Sequence, residues 1–187
     1  MARPKKSDGN AHAKEMLTMA FWELLEQMPY RKITVRALSA RAGLNHNSFY
    51  YHFCNMEQLA EYALEVTIPR EIGGQFIPRF LAEGVVRLPF APEDVEFLFQ
   101  KIKLFAKKDS PELNPIIRAR LESLWLQAAG IDSESLSAKD KAAISFLSAG
   151  GVATIGANPD LSLSDFLELA NGTVGGIVRM VVSELQG

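Results

Sequence analysis

A chain of 187 residues with 48% hydrophobic content, 22% charged residues and a net charge of −2 can bury a substantial core. No apolar run is long enough to span a bilayer, and the first ten residues lack the hydrophobic segment of a secretory signal, so a cytoplasmic protein with no membrane contact is expected. Cys54 is the only cysteine, which excludes an internal disulfide and argues against a cysteine-based metal site.

The charge is unevenly spread. Residues 1–60 carry eight Lys and Arg against five acids, a balance of +3, and the remainder carries the compensating −5. A basic front on an acidic body suits a protein that touches phosphate at one end only. Residues 1–9, with Arg3, Lys5 and Lys6, read as a disordered basic arm. From about Asn10 to Met28, the residues Met16, Leu17, Ala20, Phe21, Leu24 and Leu25 recur at helical spacing, and Pro29 stops the helix. Thr34 is the candidate N-cap of a second helix, on which Val35, Leu38 and Ala42 share a face.

Gly43 then sits where one short helix ends and the next must begin, a position that commonly demands a positive φ. Two short helices bent around that glycine give a helix-turn-helix, whose second helix, within Leu44–Phe53, enters the DNA major groove. Residues 10–54 are therefore expected to be a DNA-binding domain. Asn55 can cap a fourth, connecting helix over residues 55–68, with Met56, Leu59, Ala60, Ala63 and Leu64 as its apolar stripe and Pro69 as its end.

Residues 69–187 keep the helical pattern. Helices are predicted over Arg70–Glu83 with a kink at Pro78, Pro92–Lys107, Pro111–Ala129, Ala138–Gly156 and Leu163–Leu185, with Ser137 and Ser164 as caps of the last two. No stretch alternates with the period of a strand, so the fold class is all-α. The last two helices mix Gly150, Gly151, Ala153, Gly156, Gly172, Gly175 and Gly176 with large apolar residues on more than one face. Two apolar faces call for two partners, the body of the same chain and the same helices of a second copy. Phe76, Phe80, Phe97, Phe105, Leu121 and Trp125 are candidates to line an apolar ligand cavity in this part.

The run from Ile33 to Leu59 combines Thr34-Val35-Arg36, Ala42-Gly43, Phe49-Tyr50, His52-Phe53 and Glu57 before Leu59, and it resembles the signature of the TetR family of transcriptional regulators. The resemblance covers about the first third of the chain. It implies an all-helical effector-binding and dimerisation domain after the helix-turn-helix, a homodimer through the last two helices, and a repressor released from a palindromic operator by a small-molecule effector. Position by position, it implies that Thr34 meets a phosphate and that Arg36 reaches the backbone or a base edge. It puts Asn45, His46, Asn47 and Ser48 at base-reading positions, and it has Tyr50, Tyr51 and His52 bordering the DNA backbone. Two departures stand out. Met56 occupies a position where many relatives carry lysine, and the recognition segment holds no Lys or Arg. Adenine recognition by Asn45 or Asn47, or contact of the Tyr51 ring with a thymine methyl, then replaces guanine reading by arginine. Positive charge must come from Arg31, Lys32, Arg36, Arg41 and the arm.

Chemistry of other kinds has little footing. His12, His46 and His52 are the only histidines and have no metal-binding spacing, no nucleophile motif is present, and Ser148-Ala149-Gly150-Gly151 lacks the Gly-Lys-Ser/Thr of a phosphate loop. No enzyme activity, metal or cofactor is expected. The rival reading is an all-helical homodimer that binds a ligand or partner and has weak or no specific DNA binding.

Overall fold

The computed structural model describes residues 6–68, 91–172, 175, 176, 180 and 183. The chain divides into two compact units, Met1–Val66 and Thr67–Gly187. The described residues form eight α-helices and no strand.

In the first unit α1 spans Lys6–Gln27, α2 Val35–Arg41, α3 His46–Tyr50 and α4 Met56–Thr67, with a 3₁₀ turn at Tyr30–Lys32. Helix α1 starts four residues earlier than its apolar pattern requires, because the apolar stripe marks only the part that packs and the polar Lys6–Gly9 turn precedes it. Of the expected arm, residues 1–5 lie outside the described residues. The core draws on all four helices. Leu17, Phe21 and Leu25 of α1, Leu38 of α2, Phe49 of α3, and Leu59 and Leu64 of α4 are essentially inaccessible to solvent. At about 25 cal/mol per Å², burying a side chain of this size stabilises by roughly 1.5–3 kcal/mol, which is why helices of five and seven residues persist here though neither would alone.

In the second unit α5 covers Pro92–Ala106, α6 Asn114–Ala129, α7 Ala138–Ala157 and α8 Leu163–Asn171. The predicted helix over residues 70–83, with Phe76 and Phe80, lies outside the described residues. Pro111 opens a 3₁₀ turn at Pro111–Leu113 instead of α6 itself; Pro115, which has no N–H to leave unsatisfied, stands in the first turn of α6. Ser137 caps α7 as expected, in a capping box with Asp140. The cap of α8 is Ser162 rather than Ser164, because only Ser162 has an acid three residues on, Asp165, to return the hydrogen bond. Helix α8 also ends at Asn171, since Gly172 adopts φ −86° and ψ −148°, so the single helix expected over residues 163–185 is interrupted there. Among the described residues of this unit Phe105, Leu113, Ile117 and Leu124 are large side chains essentially inaccessible to solvent, joined in the core by Ile144, Val152 and Ile155 of α7. Helices α5 and α7 approach closely at Gly156: a Cβ there would collide with the carbonyl oxygen of Ala106.

Candidate nucleic-acid interface

The first unit is a set of hydrogen-bonded corners that hold α3 outward. Thr34, in extended conformation, accepts the Ala37 N–H at 3.1 Å and starts α2. Helix α2 ends in a Schellman arrangement, with Gly43 N–H donating to Ala40 O at 3.2 Å and Leu44 N–H to Ser39 O at 2.9 Å. Gly43 has φ +67°, and a Cβ at this position would meet nothing within 4 Å, so the backbone angle and not space selects glycine. Asn45 then caps α3, its side-chain oxygen accepting the Asn47 N–H at 2.9 Å. Asn55 closes the unit by accepting the Gln58 N–H at 2.8 Å at the start of α4.

Helix α3 is pinned by its inner face. Phe49 is fully buried and packs on Phe53, with ring centroids 5.8 Å apart, and Phe53 packs in turn on Tyr62 at 5.5 Å. The outer face is open: His46 and Asn47 are exposed, Ser48 is half-buried, Tyr50 is 55% exposed and Tyr51 86%. Tyr50 is held from two sides, edge-on against His46 at 5.5 Å and against Phe49 at 5.2 Å, which leaves its hydroxyl end as the free part. Partial burial first, and the nearby positive charge of Lys14 second, hold the His52 imidazole below its usual pKa and favour the neutral ring. Lys14 itself sits over the Tyr62 ring, 4.9 Å from its centroid.

The cations divide into free and engaged. Arg31, Lys32 and Arg36 are exposed, and among the described residues none of them has an acidic partner. Arg41 does: its Nε pairs with the Glu23 carboxylate, so it contributes less free charge than the sequence implies. Thr34, Arg36, Asn45, His46, Asn47, Ser48, Tyr50, Tyr51 and His52 thus lie on α2, α3 and the turns at their ends. Asn45 is diverted to capping.

The candidate cavity residues of the second unit are not equivalent. Phe105 is wholly buried, Leu121 and Trp125 are half-buried, and Phe97 is 55% exposed with Lys101 Nζ 5.3 Å from its ring centroid. Sequence reasoning missed a polar cluster between α6 and α7. Arg118 donates to Ser145 Oγ at 2.6 Å and to Ser148 Oγ at 3.4 Å, and the buried Ser148 hydroxyl donates to Glu122. The i,i+4 spacing of Arg118 and Glu122 was the available signal, and it reads equally well as a solvated surface pair. Among the described residues no group of three or more His, Cys, Asp and Glu side chains can hold a metal ion, and no helix is long and apolar enough to cross a membrane.

Residues 19–63 match the family model described as bacterial regulatory proteins, tetR family. No curated protein matches the chain.

Proposed function

We propose, from the premise that residues 19–63 are the N-terminal helix-turn-helix domain of a TetR-family, DNA-binding transcriptional regulator, that the chain is a cytoplasmic repressor released from a palindromic operator by a small-molecule effector. The observation that carries this reading is the outer face of α3, with Asn47, Tyr50 and Tyr51 exposed, in a unit where Arg31, Lys32 and Arg36 have no acidic partner among the described residues. Exposed hydrogen-bonding and aromatic groups suit base edges, and unpaired cations suit phosphates. Thr34, Tyr50 and the cations position the domain on the backbone; the N-terminal part of α3 reads sequence.

An operator with two-fold symmetry requires a two-fold protein. Support for a homodimer comes from α7, where Phe146, 78% exposed, shares a face with the exposed Gly150, Ala153 and Ala157. An apolar ring standing on a strip of small residues fits the same surface of a second copy. Phe146→Asp is expected to give monomers by light scattering while keeping the helical circular-dichroism signal, and to weaken operator binding; a variant that stays dimeric removes α7 from the interface.

The effector is assigned to the second unit, with Phe105, Leu121 and Trp125 as the described candidates for its lining and Phe97 at its edge. Bound effector would change the separation of two recognition helices that must reach major grooves about 34 Å apart. A thermal-shift screen of small apolar and cationic compounds tests this: compounds that raise the melting temperature should release a DNA fragment from the protein's own promoter region. Stabilising compounds that all leave DNA affinity unchanged would contradict effector-driven release.

A further inference from the structure

We infer that Asn47 is the residue that sets sequence preference, by recognising an adenine in each half-site, and that Asn45 takes no part in reading. This rests on the DNA-binding function proposed above and gives it a chemical code. Successive residues of a helix turn by about 100°, so Asn47 and Tyr51 each stand roughly 160° from Phe49. Phe49 is fully buried, and the direction opposite it is the apex of α3 that a major groove meets first. Tyr51, the C-cap residue, keeps helical angles and belongs to the same outward pair. His46 and Tyr50 lie on one flank and lean on each other, and Ser48 lies half-buried on the other.

Adenine presents one acceptor, N7, and one donor, the N6 amino group, to the major groove, and a carboxamide matches both at once. That bidentate contact needs an amide whose oxygen and nitrogen both point away from the protein. The Asn45 oxygen is turned back onto the Asn47 N–H at 2.9 Å, in a residue whose extended backbone places it before the helix. Asn47 contributes only its backbone N–H to that bond. Its side-chain amide makes no hydrogen bond among the described residues, and the residue is exposed. The two asparagines thus have separate tasks. Asn45 fixes where α3 begins, and Asn47 meets the base.

Selection of binding sites from a pool of randomised duplexes, with the full-length protein, tests the assignment. The natural chain should enrich a motif with an A·T pair at one fixed position of each half-site. Asn47→Ala should lose preference at that position alone, by about ten- to a hundred-fold in relative affinity, and still retain DNA at low salt. Asn47→Arg should move the preference at that position to G·C, since a guanidinium matches guanine O6 and N7. Asn45→Ser, which can still cap, should leave the motif intact. A motif that survives Asn47→Ala at every position, or that loses the same position in Asn45→Ser, overturns the assignment while leaving the regulator in place. Failure of the natural chain to enrich any motif overturns both.

Discussion

Gly156→Ala is the sharpest test of the packing of the second unit, because two opposing effects can be weighed. In a helix interior alanine is favoured over glycine by about 1 kcal/mol, so an unconstrained substitution would stabilise α7. Here the new methyl would collide with the Ala106 carbonyl oxygen and sit 3.0 Å from the carbonyl carbon. Both are backbone atoms, so relief requires α5 and α7 to separate, and overpacking of this kind costs typically 1–3 kcal/mol or more. The net expectation is a loss of up to about 2 kcal/mol, which for a chain of this length lowers the melting temperature by as much as roughly 8 °C. Gly151→Ala provides the internal comparison, since its Cβ would meet nothing within 4 Å. It should melt at or slightly above the natural chain. Thermal unfolding followed by circular dichroism reads both, and a Gly156→Ala protein that melts no lower than Gly151→Ala would refute the close approach of the two helices.

Two further outcomes follow from the corners of the fold. Gly43→Ala forces a side chain into a left-handed backbone, at a cost of about 1–2 kcal/mol, and should lower both the stability of the first unit and DNA affinity; unchanged chemical denaturation would contradict the turn geometry. The Asp165 carboxylate is held below the ordinary range by its hydrogen bonds with the Ser162 hydroxyl and backbone N–H. Its folded pKa is depressed, so its contribution is complete above about pH 4, where the unfolded chain is ionised, and disappears as the pH falls through the lowered folded value. Asp165→Asn should therefore lower the urea midpoint at pH 7 and much less at pH 3; an equal difference at both would mean that the charge has no role.

The local chemistry of the chain was readable where one residue type decides the backbone. Thr34, Asn55 and Ser137 cap the helices that sequence assigns to them, and Gly43 takes the left-handed angle, because each solves a problem set by its immediate neighbours. The apolar stripe of α1 is buried at Leu17, Ala20, Phe21, Leu24 and Leu25, and that of α4 at Leu59, Ala60, Ala63 and Leu64. What sequence could not show depends on tertiary placement or on competition. Asn45 has the same side chain as Asn47, and only the backbone path shows which amide the helix start consumes. Arg41 looks as available as Arg36 until α1 brings Glu23 beside it, eighteen residues away in sequence. The Ser162–Asp165 spacing is legible in the sequence as a capping box, whereas Ser164, though close to acidic residues, has no acid three residues on to return its hydrogen bond. Gly156 was recognised as a small residue for close packing. That it faces Ala106 of the same chain, while Phe146 faces outward, required the helices in place.

The salt dependence of DNA binding tests the central claim most directly. Among the described residues of the first unit, Arg31, Lys32 and Arg36 are exposed cations without an acidic partner, which makes six such cations in the proposed dimer on its operator. Each neutralised phosphate contributes about −0.9 to the slope of log affinity against log salt, so fluorescence anisotropy with the enriched operator should give a slope of about −5, shallower when Arg36 is replaced by Gln. Binding that is independent of salt, or no retention of any duplex at low ionic strength, would contradict the account.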